Sequence, residues 1–274
     1  MNYLETLFNI ENKVAVLTGG GGILASEMAK GFLQAGAKVI LLDINEANLQ
    51  KKVVSLEKFG SNIIGLKCDV LNEASIKVTQ RKILEKYKRI DILVNAAGGN
   101  MPGATVELDQ TVFDLQIDQL KQVIDLNLYG TILPTIVYGK TMAEQKNGSI
   151  INISSMASYR AITRVMGYSV AKAAVDNFTK WMAVELAQKF GNGIRVNAIA
   201  PGFLITNQNR TLLTNEDGSL TERGKAVINV TPFKRFGEPE ELVGTVIWLA
   251  SDAAKFVTGT TVPIDGGFSV FSGV

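Results

Sequence analysis

KVAVLTGGGGILASEMAKGFLQAGAKVILLD, residues 13–43, holds two short apolar runs on either side of a longer amphipathic one. The runs 13–18 (KVAVLT) and 38–43 (KVILLD) are β-branched and nearly continuous, as strands covered on both faces are. Between them, 24–34 has helical length and spacing, so the stretch reads as strand–turn–helix–strand. The turn, Thr18-Gly19-Gly20-Gly21-Gly22-Ile23, opens the helix. Glycines there let backbone approach a pyrophosphate, whose charge a helix N-terminus favours, or they simply make a flexible turn. No Gly-Lys-Ser/Thr follows, so this is not a nucleoside-triphosphate loop. Asp43 ends the second run, 21 residues after Gly22. That spacing suits a carboxylate on an adenosine ribose, where it accepts from the 2′-hydroxyl and repels a 2′-phosphate. The bland alternative is a solvated strand end or helix cap. Ile44 and Asn45 follow without a cation, which favours NAD over NADP.

The same rhythm continues outward. Residues 62–68, 91–96, 149–154, 195–200 and 260–264 bring the predicted strands to seven. Helices are expected over 45–59, 72–87, 119–143, 167–190 and 238–250. Such alternation predicts an α/β chain: one Rossmann-type, doubly wound domain over 1–274, with a seven-stranded parallel sheet flanked by helices on both faces. Residues 203–235 break the rhythm. A polar loop this long in a compact domain is usually functional, and it is expected to cover a substrate.

Composition narrows the chemistry. The chain contains no histidine, which excludes Ser-His-Asp and Cys-His catalysis and His-ligated metal sites; no metal is expected. Its one cysteine, Cys68, allows no internal disulfide and fits a reducing compartment. Twenty-eight basic against 26 acidic residues give a net charge of +2, too balanced to suggest nucleic acid or a membrane surface as partner. The opening twenty residues lack the pattern of a secretion signal, and no apolar run is long enough for a membrane helix. A cytoplasmic, soluble protein is expected.

Tyr168 and Lys172 stand four apart, on one face of a predicted helix. Of the six tyrosines, only Tyr168 has lysine at that offset. By itself the pair is weak, since surface helices contain many by chance. Ser155 lies 13 residues before Tyr168, just past a predicted strand and therefore at the sheet edge where ligands sit in this architecture. The three make a carbonyl-reducing site. The phenol, with a free pKa of ~10, exchanges a proton with help from the Lys172 ammonium and from the positive nicotinamide ring when the cofactor is oxidised, and Ser155 hydrogen-bonds the substrate oxygen.

With these come Asn95-Ala96-Ala97-Gly98, Asn127 and Pro201-Gly202, in the order and spacing of the short-chain dehydrogenase/reductase family, which the chain resembles over residues 10 to 268. The resemblance implies an oxidoreductase acting on CH–OH groups. It implies catalytic roles for Asn127, Ser155, Tyr168 and Lys172, with Asn127 holding a water in a proton relay through Lys172. It also implies cofactor contacts from Gly19, Gly21, Gly22, Ile23, Leu24 and Asp43. Asp69 and Val70 would lie at the adenine, Asn95, Ala96, Ala97 and Gly98 along the adenosine ribose. Tyr168, Lys172, Pro201, Gly202 and Thr206 would lie around the nicotinamide. The family turn, Thr-Gly-x-x-x-Gly-x-Gly, would place glycine at 23 and 25. Ile23 and Ala25 stand there, so a different path of the turn is expected.

TGGGGILAS (18–26), AGGNMPGAT (97–105), residues 202–223 and DGGFSVFSGV (265–274) resemble the D-mannonate oxidoreductase subgroup of short-chain type. That implies a sugar-acid substrate, with gluconate 5-dehydrogenases or another carbonyl reductase as the alternative. A non-catalytic NAD-binding sensor would be expected to show a gap in the Ser-Tyr-Lys set, and none is visible. Arg160, Arg164 and Arg210 are candidate carboxylate ligands, or else solvated surface arginines. The resemblance implies a homotetramer or homodimer. The tail 268–274 is expected at an interface, because a monomer would leave Phe268 and Phe271 unburied.

Overall fold

A computed structural model describes residues 2–206 and 210–273. Seven strands form one sheet: β1 (Val14–Thr18), β2 (Lys38–Asp43), β3 (Ile63–Lys67), β4 (Ile92–Asn95), β5 (Gly148–Ile153), β6 (Ile194–Pro201) and β7 (Thr261–Ile264). Their order is β3-β2-β1-β4-β5-β6-β7, and every pairing is parallel. Each strand falls within two residues of its predicted bounds.

The helices are α1 (Tyr3–Leu7), α2 (Ile23–Gln34), α3 (Glu46–Leu56), α4 (Glu73–Tyr87), α5 (Ile117–Ile124), α6 (Gly130–Gln145), α7 (Met166–Phe190), α8 (Arg210–Leu213), α9 (Glu222–Asn229) and α10 (Val243–Ala250). Successive strand residues point to opposite faces. Ala15, Leu17, Val39, Leu41, Ile92 and Val94 therefore pack against α2, α3 and α10. Val14, Val16, Ile40, Leu42 and Leu93 pack against α4, α6 and α7. Covering both faces is what makes the strands apolar throughout. Asn45 and Asn72 start α3 and α4 by accepting from the backbone N–H groups of Asn48 and Ser75, each at 3.0 Å.

Three expectations need correction. The helix predicted over 119–143 is broken by a π turn at Asp125–Tyr129, centred on Asn127, which separates α5 from α6. The segment 203–235 is not a plain loop. It contains α8 and α9, clasped by a bridge between Thr214 and Leu220 and by burial of Leu213 and Val227. Both helices are too short for a periodic pattern to show. The tail argument loses one of its two residues, because Phe268 is buried within its own chain, edge-on to Phe203 with ring centres 5.3 Å apart, while Phe271 is half-buried. Part of the quoted 202–223 stretch, residues 207–209, and the last residue, 274, lie outside the described residues. Among the described residues no helix is long and apolar enough to cross a membrane.

Candidate active site

The sheet order reverses between β1 and β4, and a crevice of 360 Å³ opens at the C-terminal strand ends. This is where open α/β sheets bind ligands. Ser155, Tyr168 and Lys172 all line it. Ser155 lies two residues past the end of β5 in an extended conformation, and its Oγ accepts from the N–H of Ala157 at 3.1 Å. Tyr168 and Lys172 stand one turn apart on α7. The Lys172 Nζ donates to the carbonyl of Ile153 at 2.8 Å, so β5 anchors the lysine as well as the serine. Lys172 is 4% exposed, and burial lowers its pKa to about 8, against a smaller opposing pull from Asp176.

The expected acidification of the phenol by Lys172 is not what the structure shows. Burial pushes the Tyr168 phenol above its ordinary value, and the Ser155 hydrogen bond works in the other direction. The lysine donates to Ile153, with its Nζ 5.5 Å from the centre of the Tyr168 ring.

Asn127, fully buried, clamps the neighbouring wall. Its Nδ2 donates to the carbonyls of Gly99 (2.7 Å) and Val123 (2.8 Å), and its Oδ1 accepts from the Gly99 N–H at 3.0 Å. A Cβ on Gly98 would stand 2.6 Å from Asn127 Oδ1 and 3.4 Å from Lys172 Nζ, so only glycine lets these groups meet. Beneath them runs a buried polar string. Asn95 Nδ2 donates to Thr135 Oγ1 and Asn152 Oδ1, and Asn152 Nδ2 donates to Thr179 Oγ1, all at 2.8 Å. It links α6 to α7 through β4 and β5.

The glycine turn is packed tightly. A Cβ on Gly20 would lie 2.6 Å from that of Leu41, and one on Gly21 would lie 3.0 Å from Asp43 Oδ2. Asp43 accepts from the N–H groups of Gly21 and Asn45, each at 2.9 Å. Gly22 caps α2 without any side-chain hydrogen bond, which leaves the first-turn N–H groups uncapped by a side chain beside the crevice, where Ile23 and Leu24 line it. Such a turn, ending beside a carboxylate, fits a dinucleotide's pyrophosphate and ribose.

Ala96, Gly98, Pro201, Gly202 and Thr206 also line the crevice. Gly19, Gly21, Gly22 and Asp43 sit at the adjoining turn instead. The Ala97 N–H donates to Thr18 Oγ1 at 3.0 Å. Asn95 does not reach the crevice, since its side chain is spent inside the sheet. Val70 is buried against Gly130, and the Asp69 carboxylate, beyond the end of β3, accepts from the Leu71 N–H at 2.9 Å.

None of the three candidate arginines lines the crevice. Arg160 donates to the carbonyls of Ser269 and Phe271 and so holds the C-terminal tail. Arg164 pairs with Glu107 and donates to the Val106 carbonyl at 2.7 Å. Arg210 is exposed on α8. Arg223, near the start of α9, lines the crevice instead. The sequence reading missed it; the available signal was its place two residues after a helix-capping threonine, Thr221, inside the segment expected to cover the substrate.

The profile of the enoyl-(acyl carrier protein) reductase family matches residues 22–269. The chain is 42% identical over 275 residues to an uncharacterized oxidoreductase, UxuB, of Bacillus subtilis (strain 168), spanning 97% of this chain and 98% of that one. It is similar to the crystal structure of a candidate D-mannonate oxidoreductase from Haemophilus influenza with bound NAD, at a TM-score of 0.91 and 40% identity over 100% of both chains. It is similar too to a gluconate 5-dehydrogenase from Burkholderia cenocepacia J2315 in complex with NADP and tartrate, at a TM-score of 0.85 and 29% identity, covering 97% of this chain and 99% of that one.

Proposed function

The chain belongs to the short-chain dehydrogenase/reductase family and is a dehydrogenase/reductase acting on CH–OH groups, and on that premise we propose that it interconverts D-mannonate and D-fructuronate with NAD. The observation that carries the reading is the meeting of Ser155, Tyr168 and Lys172 in one crevice at the strand ends. The two sugar-acid proteins above support the substrate class.

Bound at the glycine turn, the nicotinamide cofactor supplies or takes up the hydride. Ser155 hydrogen-bonds the substrate oxygen, holding it where charge develops. The Tyr168 hydroxyl gives that oxygen a proton on reduction, and the phenolate so formed takes one back on oxidation. Lys172 holds the nicotinamide ribose hydroxyls, and Asn127 positions a water that passes the proton onward through the lysine. Asp43 accepts from the adenosine ribose 2′-hydroxyl, which a 2′-phosphate would deny it. Gly19, Gly21, Gly22, Ile23 and Leu24 hold the pyrophosphate. Asp69, Val70, Ala96, Ala97 and Gly98 border the adenosine, with Asn95 supporting that segment from inside the sheet, and Pro201, Gly202 and Thr206 border the nicotinamide end.

The whole chain acts as one cytoplasmic domain, assembled as a homodimer or homotetramer. Support for assembly comes from an apolar stripe on α7, where Val170, Trp181 and Val184 are each more than half exposed.

Absorbance at the reduced-nicotinamide band, followed with NAD or NADP against aldonates and ketoaldonates, tests the reading. D-mannonate with NAD is expected to turn over. Turnover of gluconate but not mannonate would assign the chain to the gluconate enzymes, and activity with NADP alone would overturn the role of Asp43. Tyr168→Phe is expected to lower kcat by about 10² or more.

A further inference from the structure

We propose that Arg223 is the carboxylate anchor of this enzyme, gripping the acid end of the substrate from the wall formed by α9. The proposal rests on the sugar-acid reading and narrows it to one side chain.

The charge balance of the crevice is the first ground. Its described lining contains two cations, Lys172 and Arg223, and no carboxylate. Lys172 already donates to the Ile153 carbonyl and is taken up by the nicotinamide ribose in the mechanism proposed above. Arg223 is half-buried, and among the described residues no hydrogen-bond acceptor or carboxylate pairs with its guanidinium. Its charged neighbour is another arginine, Arg164, whose own charge is met by Glu107. Burial and that like charge both weaken Arg223's hold on its proton. A cation so placed gains most from an anion entering the crevice, because the anion restores what desolvation removed.

The second ground is that Arg223 is held firmly at its base. Thr221 Oγ1 accepts from the Gly224 N–H at 3.0 Å and donates to the Leu212 carbonyl at 2.7 Å. A Cβ on Gly224 would stand 2.1 Å from the Leu213 carbonyl oxygen, so α9 is pressed directly on α8. The backbone that carries Arg223 is thus fixed against α8, which limits the ordering that remains for its side chain when an anion binds. In D-mannonate the carboxylate lies at the other end of the chain from the carbinol that becomes the ketone. Its cation should therefore come from an element other than those that carry Ser155 and Tyr168, and Arg223 lines the same crevice from α9.

Arg223→Ala is expected to raise KM for D-mannonate about 30-fold, close to 2 kcal/mol, while kcat changes less than about threefold. Calorimetry should show NAD binding unchanged, which also reports an intact fold. Arg223→Lys should recover part of the loss, since it keeps the charge without the fork. In the Tyr168→Phe background with NAD bound, D-mannonate titrated by calorimetry should weaken by a similar factor on adding Arg223→Ala. An unchanged KM in a wild type that does use mannonate would overturn the anchor alone. An equal loss of NAD affinity would overturn it too, by assigning Arg223 to the cofactor's phosphates. A wild type that reduces other ketones but turns over no aldonate would remove the sugar-acid reading and the anchor with it.

Discussion

Lys172 titrates within reach of ordinary experiment. Burial holds its folded pKa at about 8, below the ordinary lysine value of 10.5. Between those values the unfolded chain binds more protons than the folded one, so stability rises with pH across the window. The thermal midpoint of the wild type should therefore climb relative to Lys172→Met from about pH 8 to 10.5, and calorimetry at several pH values would show it. Activity should move the opposite way and fall as the ammonium is lost above about pH 8. A flat difference between the two proteins across that range would contradict the buried charge. Tyr168, raised rather than lowered by its surroundings, keeps its proton at neutral pH and is ready to give it. Residue identities in this site were legible from spacing, because a helix turn and a strand end are local. The directions of the arginines were not. Arg160 and Arg210 lie beside the right segments in the chain, but where a guanidinium points depends on distant partners, such as the tail carbonyl of Ser269 for Arg160.

Among the elements, the turn between β1 and α2 has the least slack. Gly20→Ala would drive a methyl into Leu41, at 2.6 Å, so the turn must lift away from β2. The expected cost is about 1–3 kcal/mol of stability together with weaker NAD binding, read by urea unfolding and by calorimetry. Unchanged NAD affinity would mean that the turn does not hold the cofactor. The strands and their flanking helices were readable because continuous apolar runs and asparagine caps are local signals. The π turn at Asp125–Tyr129 was not, since the apolar pattern carries on through it. What breaks the helix is contact across space, with Asn127 bonded to Gly99. Helices α8 and α9 were hidden for the same reason, being held by their mutual clasp.

At the scale of the molecule, the stripe of Val170, Trp181 and Val184 on α7 is more than half exposed. Trp181→Glu with Val184→Glu should reduce the sedimentation coefficient from that of a dimer or tetramer toward that of a monomer. A wild type already monomeric at working concentration would rule the assembly out. The core below that helix has a different consequence, set by the string Thr135–Asn95–Asn152–Thr179. If β5 docked on β4 one residue out of step, each of these amides would face an aliphatic neighbour and the string would fail as a unit. Mispaired threadings of the central strands are thereby rejected all at once rather than by degrees. The alignment of Ser155 with the wall opposite therefore hangs on that one pairing of the two strands.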